Sequence, residues 1–335
     1  MKNPLQLLPS LRRPALRYAD GVWPTLLLLM YILSSLIFSV WLSASGSLLL
    51  WIAGVLLLGH GLTVSAYLIH DLTHQAVFRD PADNARLGRL LAFITGACYG
   101  RYNDIRLKHM RHHVERTDVV AVDYRDYLQR HPVLRRLTEA LEWAYIPAVD
   151  LLMHALVMLA PYLFDEYRDL RRYTTGMMVL RITLFAVIAF TLPAVALAYV
   201  CAYLLMIHVL RLMDMHQHTY EVVFGSTDGH DRPDAEYERQ NTFSNPLGNS
   251  VLLNLLVLNF GYHNAHHERP TAPWYRLPAL HRELYGDQDD HTFAIGDVLA
   301  NVHRYRVARV MGHEEGVAGR PGFTGLYGVS FLTTL

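Results

Sequence analysis

The chain has 335 residues, of which 52% are hydrophobic. Basic and acidic side chains number 30 each, so the net charge gives no reason to expect a nucleic-acid partner. The two cysteines, Cys98 and Cys201, lie far apart and form no CxxC motif, which argues against a disulfide framework, iron–sulfur ligation and a thiol redox pair. Because its apolar runs are longer than a soluble helix needs, the chain is predicted to be an integral membrane protein.

Four apolar stretches are long enough to cross a hydrocarbon core, which takes about 20 residues. They are residues 22–42, 48–69, 174–190 and 193–210. The last two belong to one block that is too long for a single pass, and Pro193 near its middle supplies a break. We therefore predict an all-α membrane protein with four transmembrane helices in two hairpins. A single tilted helix over the second block is the alternative. The shorter stretches 90–99, 148–164 and 251–262 are predicted to be buried or in-plane segments.

The basic residues indicate an orientation. Neither predicted hairpin tip carries Lys or Arg, whereas 4 precede the first span, 15 lie between the second and third, and 10 follow the fourth. By the positive-inside rule, both termini and the middle loop are cytoplasmic. Arg181 falls inside the third span, where a partner within the bundle or snorkelling is expected. A signal peptide is the rival interpretation of residues 1–47, but its apolar core is too long.

Ten histidines form four clusters on the predicted cytoplasmic side. They are His70 and His74 in HDLTH, His109, His112 and His113 in HMRHH, His216 and His218 in DMHQH, and His263, His266 and His267 in HNAHH. Spacings of three and four place imidazoles on one helical face. Neutral imidazole binds iron, zinc, copper or nickel, and ten ligands exceed the coordination number of one ion, so the pattern predicts two neighbouring metal ions. The isolated His60, His154 and His208 are instead expected to be hydrogen-bonded buried side chains.

These clusters resemble the histidine boxes of the membrane fatty acid desaturase superfamily, which includes acyl desaturases, alkane and carotenoid hydroxylases and carotenoid ketolases. The family pattern of HxxxH followed by two HxxHH boxes is matched in order by HDLTH, HMRHH and HNAHH, over about residues 45–285. The resemblance implies that the eight box histidines are ligands of a di-iron centre. It also implies one further histidine after the last span, for which His218 is the first candidate and His216 the weaker one.

The resemblance implies an oxidoreductase that uses O2 to attack an unactivated C–H bond of a lipophilic substrate. Desaturation of a fatty acyl lipid is the first interpretation, and hydroxylation or ketolation of an alkyl, carotenoid or other lipid is the second. A membrane zinc hydrolase is a further alternative, although no HExxH motif is present. A haem carrier and a transporter are disfavoured because the histidines cluster on one side and few ionisable groups fall within the spans.

Acidic residues beside the boxes are expected to accept hydrogen bonds from the imidazole N–H groups and so orient them. Asp71 and Asp214, which adjoin span ends, are the leading candidates. Glu115, Asp118 and Glu268 are weaker ones, and each acidic residue is alternatively a helix cap or a surface charge.

The sequence contains no recognisable reductant module, so a separate electron donor is implied. A ferredoxin, a rubredoxin or a cytochrome b5 type protein with its reductase fits this role. The basic run that includes Arg106, Lys108 and Arg111 is the expected docking surface. Contact with anionic membrane lipids is the alternative role for the same residues.

Three parts are predicted along the chain. Residues 1–21 form a cytoplasmic N-terminal segment, residues 22–286 form the membrane domain with a cytoplasmic helical cap that carries the boxes, and residues 287–335 form a cytoplasmic tail. The polar stretch 225–246 is expected to be a loop near the site. The glycine-rich stretch 316–328 is expected to be either a flexible tail or a segment lying over the site.

Overall fold

The computed structural model describes residues 15–120, 122–220, 222–224, 232–286 and 291–312. The expected glycine-rich segment 316–328 lies outside the described residues, as do positions 225–231 of the expected loop. Within the described parts the fold is almost entirely helical, in agreement with the predicted class.

Fourteen α-helices are found in these parts of the chain. In order they are α1 (Val22–Ser43), α2 (Leu48–Thr73), α3 (Pro81–Thr95), α4 (Tyr102–Arg111), α5 (Tyr124–Arg130), α6 (Pro132–Trp143), α7 (Ala148–Leu163), α8 (Arg171–Thr191), α9 (Pro193–Asp214), α10 (Ala235–Gln240), α11 (Val251–Leu255), α12 (His263–Glu268), α13 (Leu277–Tyr285) and α14 (Ile295–Tyr305). Short 3₁₀ turns cover Ala19–Gly21, Ala97–Tyr99, Asp165–Leu170, Trp274–Arg276 and Ala308–Met311. A π-helix, His112–Arg116, continues directly from α4. The strands β1 (Asp118–Val120) and β2 (Val222–Phe224) pair in parallel, which the sequence did not predict.

Helices α1, α2, α8 and α9 are long and apolar enough to cross a membrane, as the four apolar stretches predicted. Pro193 begins α9 after a break at Leu192, because proline is accommodated in the first turn of a helix but disrupts its interior. Both α2 and α9 continue about one turn beyond their predicted ends. In α2 that turn carries His70, the first of the predicted ligands.

Helix α2 lies at the centre of the bundle, with α1 along one side and α9 along another. Two glycines of α2 permit this close approach: a Cβ on Gly61 would come within 2.0 Å of Ser35 Oγ of α1, and one on Gly59 within 2.6 Å of Leu205 of α9. The C-terminal ends of α2 and α9 therefore lie close together. The last turn and C-cap of α2 carry the first histidine cluster, and the segment that follows α9 carries the third.

The helices outside the spans are joined to this end of the bundle by polar contacts. Arg211, near the end of α9, donates to the Glu142 carboxylate of α6 at 2.7 Å and lies 3.5 Å from Asp150 of α7. All three side chains are buried, so they link α6 and α7 to a spanning helix. Phe293 stacks on Phe243, and this contact holds the segment that contains α14 against the rest of the protein.

The isolated histidines and the intramembrane arginine have partners. His60 binds the Tyr31 hydroxyl and the Leu256 carbonyl, and His154 binds the Tyr203 hydroxyl. Arg181 donates to the Tyr199 hydroxyl at 2.8 Å and to a backbone carbonyl of α3. The predicted hydrogen bonds of His60 and His154 and the predicted partner of Arg181 are confirmed, but the two histidines are half-buried and not fully buried.

Candidate metal centre

Five histidines converge in a first group, hereafter the five-histidine group. It comprises His70 and His74 at the end of α2, His109 of α4, His113 of the π-helix and His266 of α12. One ring nitrogen from each lies within 4.8 Å of the others. His74 Nε2 and His109 Nε2 are 2.7 Å apart, and His113 Nε2 is 3.2 Å from His109 Nε2. Two nitrogens each about 2.1 Å from one ion and at right angles around it are about 3 Å apart, so this spacing fits a shared metal ion.

Four histidines converge in a second group, hereafter the four-histidine group. It comprises His112, His218, His263 and His267, again with one ring nitrogen from each within 4.8 Å of the others. His218 Nε2 lies 3.0 Å from His112 Nε2 and 2.7 Å from His263 Nε2. The two groups are in contact, because the rings of His113 and His267 are only 4.1 Å apart between centroids.

Two adjacent histidines of the π-helix contribute to different groups. His112 and His113 are neighbours in sequence, yet they belong to different groups. A π-helical turn is wider than an α-helical turn and often occurs at functional sites. The π-helix ends at Arg116, whose φ of 53° is left-handed and turns the chain into β1.

Helix α12 also serves both groups. His263 and His267 are four residues apart and enter the four-histidine group, whereas His266 enters the five-histidine group. All three side chains are buried. The next element of the chain, through Trp274, is held beside α2 because the Trp274 N–H donates to Asp71 at 2.9 Å.

The environment keeps the imidazoles in the form that binds metal. Burial, reinforced by the neighbouring imidazoles, holds the pKa values of His109, His113 and His266 well below the ordinary 6.5. The same causes lower the pKa values of His218 and His267. Each ring is therefore neutral near pH 7 and has a lone pair available for a ligand bond.

Acidic side chains lie behind three of the rings. Asp118 approaches His112 Nδ1 at 3.1 Å, and Asp71 lies 3.6 Å from His70 Nδ1. Glu238 accepts from His267 Nδ1 at 3.0 Å. The sequence named Asp71 and Asp118 for this role but missed Glu238, which comes from the polar stretch before the third box and has no spacing signal that connects it to a histidine.

Glu238 is itself held by a cation. Its second carboxylate oxygen accepts from Arg116 Nε at 2.7 Å, so Arg116, Glu238 and His267 form a chain of contacts that ends at the four-histidine group. His267 Nε2, on the other side of the ring, is buried and has no hydrogen-bond partner within the described residues. That nitrogen is therefore free to bind a metal ion. A cleft of about 50 Å³ reaches Glu238 and His267 from the surface beside Tyr285.

Other predicted site residues lie elsewhere. His216 is buried, but its Nε2 faces Asn301 of α14 at 3.4 Å, and it joins neither histidine group. Asp214 is half-buried, and its Oδ1 has no hydrogen-bond partner in the described chain, so it is not seen to orient a ring. Glu115 pairs with Arg111, and Glu268 is exposed.

The three predicted docking residues are less accessible to a partner protein than the sequence suggests. Arg111 is paired with Glu115 at 2.9 Å, and Arg106 and Lys108 are half-buried. Burial lowers the pKa of Lys108 to about 8.

An apolar wall borders the five-histidine group on the side of the spans. Phe260 stacks on Tyr67 of α2 with 4.5 Å between ring centroids, and its ring meets His70 edge-on at 5.1 Å. The centre is thus lined by imidazoles, with aromatic carbon toward the membrane helices and a small cleft toward the opposite surface.

Comparison with known proteins identifies a family for this chain. No curated protein matches the chain significantly. The family model described as Fatty acid desaturase matches residues 45–298, which include the three boxes, His218 and Glu238. This match covers well over half of the chain. The protein therefore belongs to the fatty acid desaturase family.

Proposed function

We propose that the protein is a membrane-bound di-iron oxidoreductase that uses O2 to oxidise an unactivated C–H bond of a lipophilic substrate. The observation that supports this most strongly is the convergence of nine histidines into groups of five and four at one end of the spanning helices. Family membership supports a lipid substrate and an external electron donor. Fatty acyl desaturation is the activity that we favour.

In this proposal each group of histidines holds one iron ion. His70, His74, His109, His113 and His266 bind the first, and His112, His218, His263 and His267 bind the second. Two iron ions bound there would supply the redox chemistry that, with O2 and two electrons from a donor, oxidises a C–H bond. Imidazole donors suit iron, and the lowered pKa values of His109, His113, His218, His266 and His267 keep those rings neutral at physiological pH.

The protein's own residues perform the remaining tasks. Glu238 orients the His267 ring, and the Thr117 carbonyl together with Asp118 orients the His112 ring. Phe260 and Tyr67 keep water from the side of the centre that faces the spans, where an acyl chain would approach. The cleft lined by Glu238 and His267 offers small polar species a route to the opposite side of the centre.

The proposed topology follows from the distribution of charge. We propose two hairpins, α1–α2 and α8–α9, with both termini, the metal centre and the surrounding helical cap on the cytoplasmic side, because the Lys and Arg residues are concentrated outside the two short turns. The membrane domain is proposed to span residues 22–286.

A ferredoxin, a rubredoxin or a cytochrome b5 type donor would then dock from the cytoplasm, with Arg106, Lys108 and Arg111 as the proposed surface. Charge reversal at Arg106 should raise the KM for an acidic donor.

Metal analysis combined with product analysis tests the function. Protein reconstituted in lipid and loaded with iron is incubated with a membrane lipid extract, a reductant and O2, and the lipids are analysed by mass spectrometry. We expect two irons per chain and a lipid product that has lost two hydrogens. A gain of one oxygen would identify a hydroxylase, whereas zinc-dependent lipid hydrolysis without oxidation would refute the proposal.

A further inference from the structure

The segment Leu247–Phe260, between the polar loop and the third histidine box, has an unusual backbone for a sequence so apolar. Only Val251–Leu255 form a helix, α11. The chain then turns sharply, with Leu258 and Asn259 both at positive φ, 46° and 57°. Left-handed residues at two successive positions reverse the direction of the chain, which returns to the metal centre at Phe260.

One hydrogen bond locates this segment relative to the spans. The Leu256 carbonyl accepts from His60 Nε2 at 3.0 Å, while the other nitrogen of His60 binds the Tyr31 hydroxyl of α1. His60 precedes His70 by ten residues of α2, which is about 15 Å along a helix. A hydrocarbon core is about 30 Å thick, so a bilayer that begins near the metal centre has its midplane near His60. Tyr31 lies at a similar depth, about 13 Å from the start of α1. The Leu256 backbone therefore lies well inside the region that the four helices span.

Four apolar side chains of the segment are exposed, whereas Val257, Leu258 and Phe260 pack into the core. Leu252 is 76% exposed and Val251 72%, and Leu253 and Leu256 are about half exposed. Helix α1 exposes side chains of the same kind at this depth, such as Met30. An exposed apolar patch at the depth of the spans has the character of a lipid-facing surface.

The irregular backbone is satisfied from within the segment. The buried Asn254 side chain accepts from the Leu247 N–H at 2.9 Å and donates to the carbonyls of Gly248 and Ser250, both at 2.9 Å. The Asn259 N–H donates to the Asn254 carbonyl at 2.7 Å. A nonhelical segment is tolerated at membrane depth only when its polar groups find partners in the protein, because lipid supplies none.

From these four observations we propose that Leu247–Phe260 is a re-entrant segment inserted into the hydrocarbon of the bilayer. It enters from the side of the metal centre, reaches approximately the midplane at Leu256 and returns through Phe260. The occupant of its exposed face is lipid acyl chain, not a protein partner. The proposal requires a membrane around the four spanning helices, but it does not depend on which metal binds or which reaction follows.

Spin labelling in proteoliposomes tests the insertion. A nitroxide is attached to Leu252→Cys after replacement of Cys98 and Cys201 by Ala, and its collision rates with O2, which partitions into lipid, and with a water-soluble nickel chelate are measured. Leu180→Cys, half exposed at the middle of α8, is the membrane control, and Glu236→Cys, exposed on α10, is the aqueous control. Because Leu252 is an exposed position, the substitution removes few packing contacts.

We expect the Leu252 label to match the Leu180 label, with a ratio of O2 to nickel collisions several-fold above that at Glu236. A ratio equal to that at Glu236 would overturn the insertion. Broadening of the Leu252 spectrum that disappears on dilution with unlabelled protein would show that a second copy covers the face and would also overturn it. Metal content measured on the same samples keeps this outcome separate from the proposed function.

Discussion

At the scale of single residues, the centre depends on side chains that present a lone pair in a fixed direction. Imidazole has two nitrogens, and only the one without a proton binds metal. In the four-histidine group, the contact of Glu238 with His267 Nδ1 places the proton on that nitrogen and leaves Nε2 bare. The Glu238 carboxylate thus determines which nitrogen of the His267 ring can bind the metal ion.

Loss of a single imidazole should remove an ion. We expect His266→Ala to lower bound iron from about two to about one per chain and to abolish turnover, because His266 is a member of the five-histidine group. Iron content by plasma emission spectroscopy and oxygen consumption measure the two effects.

His131→Ala is the matched control for this change. His131 is an exposed histidine whose ring contacts Tyr127, through its carbonyl at 2.7 Å and by stacking, and it joins neither histidine group. Equal iron loss in the two variants would contradict the ligand assignment.

Glu238→Gln should impair metal binding without removing a ligand. The amide oxygen would pair with Arg116 and the amide N–H₂ would face His267, which favours the tautomer protonated on Nε2 and blocks the ligand nitrogen. We expect metal affinity at one of the two sites to fall about 10- to 100-fold. Cobalt titration followed by absorbance measures this directly.

Glu236→Gln is the control on the same helix. Glu236 is exposed and pairs with Arg239, away from the histidines. Unchanged cobalt affinity in Glu238→Gln would show that the carboxylate does not control the tautomer.

At the scale of elements, α6 is joined to the spanning helix α9 by a buried ion pair. Glu142 of α6 binds Arg211 of α9 through both carboxylate oxygens, at 2.7 and 3.2 Å, and also accepts from the Val149 N–H. Removing one partner of a buried pair leaves the other charge without compensation.

Glu142→Gln should therefore destabilise the protein by about 3 kcal/mol, the lower end for a broken buried pair, because Asp150 still lies near Arg211. Glu139→Gln, on the same helix, breaks only a more exposed pair with Arg135 and should cost less than about 1 kcal/mol. Thermal unfolding in detergent compares them. Similar losses would mean that the buried pair does not anchor α6.

The sequence predicted some elements better than others. The lengths of the apolar runs predicted the four spanning helices. The spacing of histidines within each cluster identified nine side chains that converge in the structure. Both patterns are local, so both can be read from the sequence. The division into five and four could not be predicted, since it depends on how α4 and the π-helix pack against the distant segments that carry the other histidines. Glu238 and the pairing of β1 with β2 depend on contacts between distant segments, which leave no periodic pattern.

At the scale of the whole molecule, the metal ions would act as a structural core for the cap. The nine histidines come from four separate parts of the chain, and most of their ring contacts are with one another. Ligand that binds only the folded state stabilises it, by about 2.7 kcal/mol per site at a free concentration 100 times Kd.

Removal of metal should therefore lower the unfolding temperature and expose the cap to proteolysis. Chelated protein is compared with protein reloaded with ferrous iron or cobalt, and calcium serves as a control because it prefers oxygen ligands. We expect iron and cobalt, but not calcium, to restore the unfolding temperature. Identical unfolding with and without chelation would contradict a structural role for the ions.

A single turn of helix α12 contributes ligands to both histidine groups, and this arrangement couples their occupancy. The first ion to arrive orients the turn and so preorganises the donors for its neighbour. Loading should consequently be cooperative: at half-saturating iron, native mass spectra should show mainly chains with no iron and chains with two.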